Sequence, residues 1–160
     1  MRAAVITVSD RVSQGEAEDR SGPAVAAFLE RLGFTDVTVD VVPDGVESVA
    51  TALRSRVGQV PLVVTTGGTG FAPRDVTPEA TRLVIEREAP GLAEAMRAIA
   101  LGSNPFGMLS RGVCGIAGST LILNLPGSVR GATESLEAIA PALTHGLELL
   151  NATRSDHNAG

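Results

Sequence analysis

Short apolar runs alternate with amphipathic stretches along this chain, and most runs end in a polar or glycine-rich segment. The β-branched runs predict strands, and apolar residues at helical spacing predict helices. The predicted strands cover residues 3–8, 37–42, 60–65, 112–117 and 120–125, and the predicted helices cover 22–32, 46–57, 78–88, 92–101 and 131–150. Ser21 and Thr77 are the expected N-caps of two helices. The polar segment 9–20 and the segment 102–107 are predicted to be loops.

Strands that alternate with helices predict an α/β/α sandwich with three layers around a mostly parallel sheet. The tight connection at Gly118-Ser119 predicts one antiparallel hairpin within it. Four polar segments follow strands and are expected at one edge of the sheet, where ligands bind in such folds. These segments are 9–11, 43–45, 66–75 and 124–128. The length of 160 residues fits one domain, expected over 1–150, with a flexible tail at 151–160.

Composition excludes several function classes. A net charge of −5 without a basic stripe, and four Phe as the only aromatic residues, argue against a nucleic-acid partner. The single Cys114 and two His exclude an internal disulfide and metal sites rich in cysteine or histidine. All basic residues are Arg, so neither a Schiff-base lysine nor a P-loop lysine is available. No apolar stretch is long enough to cross a membrane, and a cytoplasmic protein is expected.

A glycine-rich segment, Gly67-Gly68-Thr69-Gly70, follows a predicted strand. Such loops let backbone N–H groups approach a phosphate. A purely structural turn is the open alternative. A P-loop is absent because no Lys follows the glycines, and a dinucleotide fingerprint is absent because residues 9–11, after the first strand, lack glycine.

Three acids share this predicted edge, namely Asp10, Asp44 and Asp75. Each alone can be a turn or helix-start residue. Together, beside a glycine loop, they suggest carboxylates that hold Mg²⁺ against phosphates. Arg74 and Arg111 can meet phosphate oxygens with two hydrogen bonds each, and a solvated surface role is an equal alternative for Arg111.

Several segments together resemble the molybdopterin adenylyltransferases, which include the MogA proteins of bacteria and the G domains of proteins such as gephyrin. The segments are 8–10, 19–23, 65–79 (TTGGTGFAPRDVTPE), 109–111 and 124–128. The resemblance reaches to about residue 150 and implies an α/β sandwich that forms homotrimers. It also implies transfer of AMP from ATP to the terminal phosphate of molybdopterin, with Mg²⁺ and release of pyrophosphate. The product would pass to the molybdate-inserting enzyme.

The resemblance also implies roles for individual residues. Asp44 and Asp75 match the family's essential aspartates, which we take as catalytic and metal-holding. The expected nucleotide-binding residues are Asp10, Gly67, Gly68, Thr69, Gly70, Pro126, Gly127 and Ser128, and the expected molybdopterin-binding residues are Thr66, Arg74, Ser110 and Arg111. Two positions depart from the family, since Gly45 stands where an acid is common and Ala100 stands where a serine is common.

The implied reaction suits a site without a Lys or His base. A phosphate monoester is already anionic at neutral pH, so it needs charge neutralisation and alignment for attack. Two alternatives stay open: a CinA-type nucleotide pyrophosphatase and a MoaB-like protein that binds pterin or nucleotide without turnover. The presence of both Asp44 and Asp75 favours the enzyme.

Overall fold

A computed structural model describes residues 1–152 and forms the predicted elements in the predicted order, with three additions, namely one short strand and two short helices. The strands are β1 (Arg2–Val8), β2 (Thr35–Val42), β3 (Leu62–Thr66), β4 (Arg87–Glu88), β5 (Cys114–Ala117) and β6 (Thr120–Leu125). The helices are α1 (Asp10–Ser13), α2 (Ser21–Arg31), α3 (Val46–Arg56), α4 (Thr77–Arg82), α5 (Pro90–Ser103) and α6 (Val129–Asn151), and Pro105–Leu109 forms a 3₁₀ helix. The predicted tail at 151–160 is corrected at its start, because Asn151 is the last residue of α6, and residues 153–160 lie outside the described residues.

The six strands form one sheet in the order β2-β1-β3-β6-β5-β4. The first four of these strands run parallel to one another, and β5 runs antiparallel to both β6 and β4. The mostly parallel sheet and the β5–β6 hairpin therefore confirm the predicted fold class. The carboxyl ends of four adjacent strands consequently meet at one edge.

Two apolar clusters, one on each face, make the sheet the middle of three layers. Alternate residues of β1 point to opposite faces, as strand geometry requires: Ala3 and Val5 pack with α2, α5 and α6, whereas Ala4 and Ile6 pack with α3 and α4. β3 is buried throughout, which explains the apolar residues 62–64 with which it begins.

The segment 83–89 corrects the predicted helix 78–88. Helix α4 ends at Arg82, and the chain then turns to form β4 at the sheet edge. The Glu86 and Ala89 amides donate to the Ile116 and Cys114 carbonyls, at 2.8 Å each. Pairing with β5 thus replaces the last two helical turns that the spacing predicted.

Both predicted N-caps are also corrected. Ser21 and Thr77 are the first residues of their helices instead of caps. Asp19 accepts the Gly22 amide at 3.0 Å and so does the work expected of Ser21. The Thr77 hydroxyl donates to the Gly67 carbonyl at 2.9 Å, which ties α4 to the glycine loop.

Two short helices lie in segments predicted to be loops. Ser9 caps α1 by accepting the Val12 amide at 3.2 Å, and Asn104 caps the 3₁₀ helix by accepting the Phe106 amide at 3.0 Å. Neither helix is long enough to show an apolar period. No helix among residues 1–152 is both long and apolar enough to cross a bilayer.

The sole cysteine, Cys114, is buried at the start of β5. Burial raises the pKa of its thiol to about 12. The group is therefore uncharged at neutral pH and behaves as a small core residue.

Candidate functional site

The segments after β3 and β6 meet at the carboxyl edge of the sheet, as predicted. The Gly67 amide donates to the Leu125 carbonyl at 3.1 Å, and the Thr66 hydroxyl donates to the Pro126 carbonyl at 2.7 Å. Gly127 lies directly against Gly67, because a β-carbon on Gly127 would be 3.3 Å from the Gly67 α-carbon. The glycine loop and the segment 126–128 are therefore one surface.

The segments after β1 and β2 meet beside it through a reciprocal pair of aspartates. The Asp10 amide donates to Asp44 Oδ2 at 2.9 Å, and the Asp44 amide donates to Asp10 Oδ1 at 3.2 Å. Arg74 spans the two segments, with Nε 2.5 Å from Asp10 Oδ2 and Nη2 2.7 Å from the Asp44 carbonyl oxygen. We call Asp10, Asp44, Asp75 and Arg74 the carboxylate corner.

The electrostatics of these aspartates differ. The hydrogen bond from Arg74 lowers the pKa of Asp10 below its ordinary value. Burial raises the pKa of Asp44, and the nearby negative charges of Asp10 and Asp75 act in the same direction. A cation beside Asp44 would relieve both effects, which fits a metal-holding role.

Asp75 approaches the glycine loop from the other side. Its Oδ2 accepts the Ala72 amide at 3.0 Å and lies 2.9 Å from the point where a β-carbon of Gly70 would be. Asp44 Oδ1 lies 3.2 Å from the corresponding point on Gly68. The two carboxylates therefore border the same loop two residues apart.

The glycine loop has both structural and chemical reasons for its composition. Gly67 and Gly68 have φ angles of +105° and +69°, and a β-carbon there would lie 2.3 Å from the Val8 carbonyl oxygen or from Thr77 Oγ1. Among residues 1–152, no acceptor is found for the amides of Gly68, Thr69 and Gly70. Consecutive N–H groups without internal partners are the donors that phosphate oxygens accept from.

Arg111 holds this loop from the side of β5. Its amide donates to the Thr69 carbonyl at 2.9 Å, and its guanidinium donates to the carbonyls of Gly70 at 2.8 Å and Asp75 at 2.5 Å. It also pairs with Glu79, and this bond lowers the pKa of the Glu79 carboxyl. The Arg111 side chain is thus bonded to other residues of the protein. The sequence had left open two different roles for it, phosphate binding and a solvated surface position.

Two cavities flank the segments 66–70 and 126–128. The first, which we call the α5 cleft, has a volume of about 440 Å³ and contains Thr69, Gly70, Ser110 and Pro126 among its lining residues. The second cavity, about 450 Å³, contains Ser9, Asp19, Thr66, Gly67 and Gly127. Ser128 lines both, so the two cavities adjoin there.

Two residues that the sequence assigned to molybdopterin line different cavities. Ser110 lies in the α5 cleft as one wall, while Thr66, also expected at the pterin, lies at the second cavity. Ala100 lines the α5 cleft as well.

Sequence reasoning missed two residues near the site. Asn124 donates to the Thr65 and Thr81 hydroxyls at 3.0 and 2.9 Å and accepts the Val113 amide at 3.1 Å, which ties β3, α4 and the segment before β5 together beneath the loops. Arg97 lines the α5 cleft. Its signal in the sequence is a charge on the apolar face of α5 that also carries Ala93, Met96 and Ala100.

The donor set suits a magnesium ion bound together with substrate. No group of three or more His, Cys, Asp or Glu residues within the described 1–152 could hold a metal ion alone. Mg²⁺ usually takes one or two protein carboxylates and completes its shell with substrate phosphates and water. Asp44 and Asp75 beside the free amides match that pattern.

The chain matches the family model described as "Probable molybdopterin binding domain" over residues 4–145. It is 42% identical to the molybdenum cofactor synthesis protein cinnamon of Drosophila melanogaster and covers 25% of that protein, with 91% of this chain aligned. It is 40% identical to a molybdopterin adenylyltransferase of Helicobacter pylori, with 91% of this chain and 85% of the relative aligned. The chain thus spans a quarter of the first relative and most of the second.

Solved structures share the fold. A molybdopterin biosynthesis enzyme, MoaB, from Thermus thermophilus has a TM-score of 0.89 at 46% identity, covering 95% of this chain and 97% of that one. A structure of MogA has a TM-score of 0.90 at 44% identity, covering 94% and 99%. A CinA protein from Thermoplasma acidophilum, at 20% identity and a TM-score of 0.68 over 88% and 96%, shares the fold alone.

Proposed function

The chain belongs to this family of molybdopterin-binding domains, and we propose that it is a molybdopterin adenylyltransferase that transfers AMP from ATP to the terminal phosphate of molybdopterin. The observation that carries the proposal is the pair of carboxylates, Asp44 and Asp75, which border Gly68 and Gly70 of one loop. Phosphoryl-type transfer needs fixed charges around phosphates more than it needs a proton-transfer residue.

The reaction forms one bond and breaks one. An oxygen of the molybdopterin phosphate attacks the α-phosphorus of ATP, and the bond from this phosphorus to the bridging oxygen of pyrophosphate breaks. The nucleophile is an anion at neutral pH, so no base is required. Pyrophosphate leaves with the electron pair of the broken bond.

The residues at the sheet edge supply the environment for this step. Asp44 and Asp75 would hold Mg²⁺, which would neutralise charge on the phosphates of ATP. The amides of Gly68, Thr69 and Gly70 donate to phosphate oxygens. Asp10 and Arg74 keep Asp44 in place through the bonds described above.

The two cavities suit the two substrates. We assign molybdopterin to the α5 cleft, where Ser110 lies, and the nucleoside of ATP to the second cavity, where Gly67 and Gly127 lie. Ser128 and the glycine loop stand between them. Their phosphates would then meet beside Asp44 and Asp75.

We further propose that the protein is a homotrimer of the cytoplasm that hands its product to a molybdate-inserting enzyme. Exposed apolar residues on α5 and the 3₁₀ helix support an assembly, with Ile99, Leu101, Phe106 and Met108 at 51%, 47%, 73% and 61% exposure. A trimeric mass by light scattering at micromolar concentration tests the oligomeric state, and a monomeric mass would contradict it.

Pyrophosphate release in the presence of ATP, Mg²⁺ and molybdopterin tests the activity. Release must require molybdopterin, must stop when EDTA removes Mg²⁺, and must be accompanied by an adenylylated pterin. Binding of molybdopterin without release would indicate a MoaB-like protein that binds its ligand without turnover. Release from a nucleotide substrate without pterin would indicate a pyrophosphatase.

A further inference from the structure

The two arginines that the sequence assigns to molybdopterin both form hydrogen bonds and ion pairs within the protein. Arg74 binds Asp10 through two nitrogens, at 2.5 and 3.1 Å, and also binds the Asp44 carbonyl. Arg111 binds the Gly70 and Asp75 carbonyls and pairs with Glu79. Neither lines the α5 cleft.

The cleft contains two other arginines, and their surroundings differ. Arg130 pairs with Glu134 at 2.8 Å, and Glu134 is the one acid among the described residues that line the cleft. Arg97 is half-buried, and its Nη1 donates to the Gly112 carbonyl at 2.8 Å. Within residues 1–152, no carboxylate lies within 4.0 Å of its guanidinium.

A half-buried guanidinium without a counter-charge is costly unless a ligand provides one. The guanidinium has five N–H donors, and the Gly112 carbonyl accepts from one nitrogen only. The same bond anchors Arg97 to the segment that follows Ser110. The surrounding wall is apolar, with Ala93, Met96 and Leu109, so an anion there would be recognised in a partly desolvated place.

We propose that Arg97 binds an anionic group of the pterin substrate in the α5 cleft. This inference rests on the proposed function for the identity of the substrate. Molybdopterin carries two kinds of anionic group, a phosphate and the dithiolene sulfurs, and a guanidinium fork binds either. Arg97 is thus a residue of the cleft that determines how tightly the pterin substrate binds.

The test measures equilibrium binding of molybdopterin, and separately of ATP, to the full chain. Arg97→Met keeps the apolar stem and removes every donor, whereas Arg54→Met makes the same charge change at an exposed position on α3. We expect Arg97→Met to raise the Kd for molybdopterin by at least about tenfold, which is about 1.4 kcal/mol. Arg54→Met should leave this Kd unchanged, and the Kd for ATP should be the same in all three proteins.

Inorganic phosphate used as a competitor distinguishes the two anionic groups. Competition in the parent protein that disappears in Arg97→Met supports recognition of the phosphate, and absence of competition supports recognition of the dithiolene. A Kd for molybdopterin in Arg97→Met within about twofold of the parent would overturn the proposal.

A second pair of variants tests the proposal if Arg97→Met fails to fold. Arg97→Lys and Arg97→Gln are both polar, and only the first keeps the charge. Tighter molybdopterin binding by the Lys variant supports the proposal, and equal binding overturns it. Parent protein that binds molybdopterin without pyrophosphate release would overturn the proposed function while leaving the role of Arg97 standing, and parent protein that binds none would overturn both.

Discussion

The carboxylate corner and the α5 cleft lie on either side of one glycine loop, yet they treat charge in opposite ways. In the corner, Asp10, Asp44 and Arg74 bind one another, so each charged group has a fixed direction. In the cleft, the wall is largely apolar, and Arg97 faces it without a carboxylate partner among the described residues.

The difference separates two tasks. Preorganised charges accelerate a reaction because they need no rearrangement when the transition state forms. An apolar cleft with a few polar groups binds a ligand because the ligand forms hydrogen bonds with polar groups that have no partner within the protein. Substitutions in the corner are therefore expected to change turnover, and substitutions in the cleft are expected to change binding.

The largest expected effect is in the corner. Asp75→Asn and Asp44→Asn each keep size and remove one carboxylate charge, so each should abolish measurable turnover, with a loss of at least about tenfold. The Kd for molybdopterin should change little. Steady-state pyrophosphate release and equilibrium binding measure the two quantities, with Asp36→Asn as an exposed control. Near-normal turnover in both variants would remove these carboxylates from the site.

A somewhat smaller effect is expected at Arg111, which touches the loop and neither cavity. Arg111→Met loses the bonds to the Gly70 and Asp75 carbonyls, so kcat should fall by up to about tenfold as Asp75 moves, with a smaller change in KM. Added guanidinium should restore part of kcat. A change in KM for molybdopterin alone would instead make Arg111 a ligand-binding residue.

Ser110→Ala tests the cleft. It should weaken molybdopterin binding by about 1–3 kcal/mol, the cost of leaving a polar group of the ligand unpaired, while ATP affinity stays constant. Titration of each ligand separately provides the measurement. A loss of ATP binding with intact pterin binding would reverse our assignment of the two cavities.

The smallest expected effect concerns the bond that supports Arg111. Because Arg111 lowers the pKa of Glu79, this pair stabilises the fold above the ordinary carboxyl pKa, and the contribution disappears as pH falls through the lowered pKa. Glu79→Gln should therefore lower the stability of the fold by less than about 1 kcal/mol at pH 7, seen as a slightly lower melting temperature, and by a smaller amount at pH 3. Melting curves at both pH values measure it, and an equal difference at both would exclude the ion pair as the cause.

Gly68 is an unsuitable position for testing the approach of phosphate by substitution. A β-carbon there would lie 2.3 Å from Thr77 Oγ1, whose hydroxyl holds the Gly67 carbonyl. Gly68→Ala would therefore disturb the start of α4 as well as access of phosphate. Loss of ATP binding in that variant would have two explanations.

The sequence predicts the fold well where apolar period and burial agree. β1, β3 and the β5–β6 hairpin follow from continuous or alternating apolar runs. β4 could not be predicted, because its two residues are both exposed and pair only through the backbone with β5. Local helical spacing carries no information about such a distant partner.

The site shows the same division. Asp10 and Asp44 could be brought together from the sequence because adjacent parallel strands end at one edge. What each arginine binds could not be predicted, because Arg74 and Asp10 are 64 residues apart and Arg111 reaches back 41 residues to Gly70. Arg97 could not be predicted as a residue of the site, because a charged side chain within an amphipathic helix is ordinarily solvated.

The lone thiol of β5 gives this protein a built-in reporter of local opening. Cys114 is the first residue of β5 in the β5–β6 hairpin and pairs with Leu123, one residue from Asn124. A protonated, buried thiol reacts with a labelling reagent only while β5 is detached, so the labelling rate measures the free energy of that opening. Comparing the labelling rate of Cys114 with and without each substrate would show whether a ligand at the loops raises the free energy of this opening. The experiment needs no engineered probe.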